Sequence, residues 1–233
     1  MRKASMVVNG LGIAAFLGVA VGLYLAFVYA PTETTMGDVQ RIFYFHLPLA
    51  WIAFLAFFVV FVAGIVYLAS SRPIWDILAL SSAEIGVVFT TLVLATGSIW
   101  AKSAWNTWWT WDPRLTTTLV LWLIYVGYMM VRGAVDGADK RARISAIIGI
   151  VGFINVPIVF MSIRWWRTMH PLVITRTEIA MATPMVVTLF VCLGAFSLLY
   201  AFLMALRTRQ GLLQSEIDEI EAQIAGQTTG RQG

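Results

Sequence analysis

The chain has 233 residues, of which 60% are hydrophobic and only 12% charged, with a mean hydropathy of +0.82. Soluble domains sit near ~45–50% apolar and ~25% charged, so this composition excludes a soluble globular enzyme, a disordered chain and a disulfide scaffold. The lone cysteine, Cys192, allows no internal disulfide and no Cys-x-x-Cys motif, and a net charge of +4 is better explained by basic residues flanking membrane spans than by nucleic acid.

Six apolar runs are long enough to cross a membrane, at about 6–30, 47–69, 77–99, 115–131, 144–163 and 181–206. The expected fold is therefore an all-α integral membrane protein of six transmembrane helices. The first run follows Arg2 and Lys3, yet it is too long for a signal-peptide core and reads as a retained helix. An even number of spans puts both termini on one side. That side holds Arg2, Lys3, Arg72, Arg132, Lys140, Arg141, Arg143, Arg207, Arg209 and Arg231, ten basic residues, against six on the other: Arg41, Lys102, Arg114, Arg164, Arg167 and Arg176. The bias places the termini in the cytoplasm.

Glu84 falls inside the third span, where a charge is costly, so it is expected to face the bundle or a wet cavity, either as the neutral acid or bonded to Asn9 or Asn155. Pro157 and Pro184 are expected to kink their spans. Residues 1–206 read as one membrane domain and 207–233 as a cytoplasmic tail. In that tail Leu213, Ile217, Ile220 and Ile224 recur at helical spacing opposite Glu216, Asp218, Glu219 and Glu221. This pattern gives a short amphipathic helix, either solvated or docking a partner.

The outer segments hold both histidines and most of the tryptophans. Trp100, Trp105, Trp108, Trp109 and Trp111 fall within twelve residues between the third and fourth spans. A helix over 105–112 would put Trp105, Trp108, Trp109 and Asp112 on one face. Interfacial belts spread tryptophan over both membrane surfaces, whereas these cluster on one, with Trp165 and Trp166 beside them. A flat aromatic shelf suits a large planar ligand. Asp112-Pro113 reads as a helix start, Asp as N-cap and Pro as first helical residue, with direct ligand contact by Asp112 as the alternative. Arg114 then sits against the helix dipole, which makes it a candidate for an external carboxylate. His46, just before the second span, and His170, before the sixth, lie at the same outer boundary, where two neutral imidazoles can ligate one iron from opposite faces.

The run Trp105-Asn106-Thr107-Trp108-Trp109-Thr110-Trp111-Asp112-Pro113-Arg114-Leu115-Thr116 resembles the tryptophan-rich signature of haem-handling membrane proteins. The similarity is nearest to the cytochrome c maturation family CcmC, whose usual form is close to WGTWWVWDARLT. This chain departs from it at Asn106, usually Gly, and at Pro113, often Ala. The resemblance implies haem b held non-covalently, with His46 and His170 as axial ligands. It also implies a bacterial inner-membrane protein that presents haem to a periplasmic chaperone (CcmE), beside ABC-transporter-like subunits and a small single-span subunit. The outer basic residues are then candidates for the haem propionates, Arg114 and Arg167 foremost, while the rest meet lipid headgroups. Three rivals stay open: a b-type electron carrier, a haem-free ABC permease, and a larger cytochrome c synthase sharing the motif. No residue reads as a catalytic acid or base.

Overall fold

In a computed structural model of the chain, residues 2–166 and 181–229 are described. They form seven α-helices and no strand. Among the described residues, six helical stretches are long and apolar enough to cross a membrane: Ser5–Tyr29, Asp38–Ser70, Pro73–Trp105, Pro113–Ala134, Ala138–Trp165 and Thr183–Ala225. The protein is a multi-pass membrane protein with both ends of the chain on one side of the bundle, here the terminal side; the opposite side is the loop side.

Helices α2 (Phe43–Ser70) and α3 (Pro73–Trp105) pack along each other as the central pair. A left-handed Ser71 (φ 51) ends α2 and Pro73 begins α3, a two-residue turnaround. Helix α4 (Pro113–Ala134) packs on α3, and α5 (Ala138–Gly152) on α2 and α4. The fifth span is broken at Phe153–Ile154, after which α6 (Asn155–Trp165) runs along α4. Pro157 has no N–H to give the carbonyl of Phe153, so the break falls one turn before it, as expected. Pro184 behaves differently. It lies in the first turn of α7 (Thr183–Thr229) and opens that helix instead of kinking it.

Helix α1 (Arg2–Tyr24) ends in a π-helical turn, Leu25–Tyr29, and packs on α7. The contact is made of small residues. A Cβ added at Gly18 would lie 3.3 Å from Ala195, and one at Gly22 3.2 Å from Cys192 Sγ. Small residues at this four-residue spacing let two helices approach closely where lipid gives no hydrophobic drive.

Two ion pairs tie the terminal half together. Arg132 holds Asp76 through both nitrogens, at 2.5 and 2.8 Å, joining α4 to α3. Glu84 is held by Arg207 from α7, again twice, at 2.5 and 2.8 Å. Its partner is thus a cation 123 residues away, and neither Asn9 nor Asn155, whose amide donates to the Thr117 carbonyl at 3.0 Å. A paired carboxylate avoids the cost of a lone charge among helices. The tail also differs from expectation. It is not a separate short helix but the unbroken continuation of α7.

Candidate functional site

The site is built on the loop-side ends of α2, α3 and α4, which extend beyond their apolar runs. A 3-10 turn, Asp38–Ile42, leads straight into α2, so His46 is the fourth residue of that helix and does not precede it. Likewise α3 continues to Trp105, which puts Trp100 and Lys102 on a helix and not in a loop.

His46 has its orientation fixed by α3. Its Nδ1 lies 2.9 Å from Thr96 Oγ1. The Thr96 hydroxyl donates to the Leu92 carbonyl at 2.7 Å. A hydroxyl has one proton to give, so Thr96 Oγ1 is the acceptor of the Nδ1–H of His46. Bonded in this way, a neutral imidazole would carry its lone pair on Nε2, the tautomer of a metal-ligating histidine whose other nitrogen has a partner behind it. Gly97 makes room for the ring: a Cβ there would sit 3.1 Å from His46 Cε1. Trp100 completes the support. It is 9% exposed, with its ring edge-on to His46 at 5.8 Å and to Phe43 at 6.0 Å. Trp100 therefore backs the histidine and is no part of an exposed shelf. Thr96 and Gly97 escape a reading by motif because they sit in an apolar run. The signal was the small polar stretch Ala95-Thr96-Gly97-Ser98 just below the loop.

The helix ends at Trp105. Asn106 takes the left-handed conformation (φ 56, ψ 25) as C-cap, and residues 106–112 are an irregular loop. The expected helical face of Trp105, Trp108, Trp109 and Asp112 does not form. The tryptophans divide instead by position. Trp105 is half-buried in a cleft wall, Trp109 and Trp111 meet edge-to-face at 5.7 Å, and Trp108 and Trp111 are 59% and 76% exposed. Trp165 and Trp166 are exposed at the end of α6.

Asp112 caps α4, its Oδ1 accepting from Arg114 N at 2.8 Å and Leu115 N at 3.4 Å, with Pro113 next in the first turn. That cap sets the direction of Arg114, whose Nη1 is buried and has no hydrogen-bond partner among the described residues. Arg41 and Lys102 are committed elsewhere. Arg41 bonds the Ala26 and Ala30 carbonyls, Thr32 and Asp38, closing the end of the first span. Lys102 Nζ meets Asn106 Oδ1 at 2.8 Å, bracing the C-cap of α3. Both are thus partly spent on the protein's own oxygens. Arg164 lies over the Phe160 ring at 5.6 Å. His170, Arg167 and Arg176 lie outside the described residues.

One cleft joins these parts. His46, Gly97, Trp105, Thr110, Arg114 and Thr118 line it, with Leu121 and Val159 deeper in. The space between its walls, counted out to the open mouth, is about 740 Å³. Little of that space lies clear of the walls, so the cleft is a narrow slot. Among the described residues no three His, Cys, Asp or Glu side chains cluster as metal ligands. The slot is thus lined by one imidazole, one guanidinium and the aromatic rings of Phe54 and Trp105. Such a set suits a flat apolar body that carries its own metal and a carboxylate.

The profile of the CcmC family, described as heme exporter protein C, matches residues 1–223. The chain belongs to the CcmC family. It is 34% identical over 223 residues to heme exporter protein C of Bradyrhizobium diazoefficiens, covering 95% of this chain and 84% of that one. It is 34% identical to heme exporter protein C of Haemophilus influenzae, over 84% of this chain and 80% of that one. It is also 32% identical to a putative cytochrome c biosynthesis ccmC-like mitochondrial protein of Marchantia polymorpha, over 83% of each. The tryptophan-rich run 105–116 spans the end of α3, the loop and the start of α4, and its Trp105, Thr110, Arg114 and Leu115 line the slot. Its two departures here are accommodated by the backbone. Asn106 adopts the left-handed φ that favours Gly, and Pro113 has the place at a helix start that needs no N–H.

Proposed function

We propose that this chain binds haem b non-covalently on the loop side of the membrane and passes it to a periplasmic haem chaperone during c-type cytochrome biogenesis. The observation that carries the reading is that His46 and Arg114, whose buried Nη1 has no hydrogen-bond partner among the described residues, line one narrow slot beside the tryptophan loop. Membership of the heme exporter protein C family supports a role in haem handling for cytochrome c biogenesis.

Haem supplies an iron with two axial positions and two propionates. In this reading His46 and His170 take the axial positions, and Thr96 and Trp100 hold the His46 ring in place. Arg114, set by the Asp112 cap, binds one propionate and Arg167 the other. Trp105 flanks the ring inside the slot, while Trp108, Trp109 and Trp111 form the outer shelf. The exposure of Trp108 and Trp111 suits surrender of the ligand to a partner at the surface. The receiving partner is the chaperone CcmE. ABC-transporter-like subunits and a small single-span subunit assemble around the chain, and lipid headgroups meet the remaining outer basic residues. The terminal side faces the cytoplasm across the bacterial inner membrane, so the slot faces the periplasm. Residues 1–206 act as the haem-handling unit and 207–233 as the tail.

The test is a pyridine haemochrome spectrum of the purified protein. Haem at about one per chain, released by acidic solvent, is the expected result. A haem-free preparation from haem-replete cells would favour the permease. Aromatic contacts add roughly 0.5–1.5 kcal/mol each, so Trp108→Ala or Trp109→Ala should weaken haem retention about two- to tenfold. Trp75→Phe, on the terminal side, should leave it unchanged. Equal retention in all three would reduce the loop to an interfacial belt.

Orientation has its own check. Cysteine at Asp136 should react with an impermeant maleimide only from the cytoplasmic side, and cysteine at Ser103 only from the periplasm. The native Cys192 is 1% exposed and adds little background. The reverse pattern would overturn the topology and the periplasmic site with it.

A further inference from the structure

Helix α7 continues past its last contact with the bundle. The Glu84–Arg207 pair anchors it, and one turn later Gly211 fits so tightly on α3 that a Cβ there would come within 2.6 Å of Ile77 Cγ2. Beyond Gly211 every residue to Ala225 is exposed except the half-buried Ser215. At 1.5 Å per residue the exposed stretch to Gln223 extends about 18 Å past Gly211.

This exposed stretch has an apolar stripe. Leu213, Ile217 and Ile220 are 43%, 48% and 55% exposed, and their spacing of four and three residues puts them on one face. Glu216 and Glu221 border that face, one on each side, with Asp218 and Glu219 behind; there is no Lys or Arg from 210 to 225. A solvated helix has no need of three large aliphatic residues in line.

Charge decides among the possible occupants. In a coiled coil of two copies, Leu213, Ile217 and Ile220 would be the seam, with Glu216 and Glu221 at the flanking positions that face each other across it. Those positions set partner choice, and here glutamate would meet glutamate in either orientation. Membrane-surface helices present Lys and Arg to anionic lipid, and this one presents only carboxylates. What remains is a protein surface of opposite sign.

We propose that the Leu213–Ile217–Ile220 stripe is a docking site for a protein on the terminal side of the membrane, one that offers an apolar groove bordered by lysine or arginine. The proposal does not depend on the haem site. Because α7 is one rigid helix clamped at Glu84 and Gly211, a partner held there is held at a fixed place relative to α3.

The experiment uses the full chain in its native cells, with the photo-crosslinking residue p-benzoylphenylalanine at Ile217 or, on the opposite face, at Ala222. The expected result is one protein adduct of defined mass from position 217 and none from position 222. Glu216→Lys together with Glu221→Lys should lower its yield at least about tenfold, since like charges at an interface are strongly disfavoured. The amount of chain in the membrane should not change. The joined partner peptide should carry Lys or Arg beside apolar residues. An adduct of twice the chain's mass, adducts to lipid alone, equal yields from the two positions, a yield that survives charge reversal, or no adduct would each overturn the proposal.

Discussion

Arg114→Met should weaken haem binding by about 10- to 100-fold, the equivalent of a hydrogen bond to a charged group at ~1.5–3 kcal/mol. The same substitution should leave the haem-free protein at least as stable as before. The two signs come from one observation. Nη1 of Arg114 is buried with no hydrogen-bond partner among the described residues, and a buried unmet donor costs roughly 1–3 kcal/mol. Methionine keeps the apolar stem along the slot and removes the unmet group. Haem titration and thermal melting of the haem-free protein in detergent check the two halves separately. A variant that binds haem normally, or that loses stability without haem, would make Arg114 a structural residue of α4.

Thr96→Val is the second large effect. Valine keeps the shape but cannot accept from His46 Nδ1–H, so the ring is freed to turn and to change tautomer. Loss of such an outer partner of a metal-ligating histidine typically weakens the metal site ~10–100-fold. The variant should bind haem with a mixed spectrum in which the low-spin fraction falls, while Thr96→Ser, which restores the acceptor, should recover it. A merely structural threonine would show no such split between valine and serine. The site is thus held from behind by α3 as much as by its own helix.

The spans were legible in the sequence because hydropathy is a local property of each run. Their loop-side ends were not. Phe43 to His46 and Trp100 to Trp105 look like loop by composition, yet their backbones stay helical because Asp38–Ile42 feeds directly into α2 and Asn106 closes α3 only after Trp105. Those four to six extra residues move His46 and Trp100 from a surface loop onto packed helices. The Asp112-Pro113 helix start was legible, since capping is written in adjacent residues. The partners of Glu84 and Arg41 were not. Each depends on which helices become neighbours, and Arg207 is 123 residues from Glu84.

The tryptophan cluster shows the limit from the other direction. The spans bracket it at one end of the bundle, but the assumed helix over 105–112 gave it the wrong geometry. The left-handed Asn106 breaks the period. With it the five tryptophans separate into one that supports His46, one that lines the slot and three at the mouth. The residue that sets this division, asparagine where the family usually carries glycine, was visible as a departure from the motif before its backbone role was.

Axial ligation by His46 is the claim on which the account rests, and one measurement reaches it most directly. His46→Gly removes the imidazole and leaves a space of its shape between Thr96, Gly97 and Trp100. The visible absorption of the purified variant should lose the low-spin bands of a six-coordinate iron. Added imidazole should partly restore them by entering that space, and His170→Gly should behave in the same way. A spectrum unchanged by His46→Gly, or one that imidazole does not alter, would mean that the iron takes its ligands elsewhere.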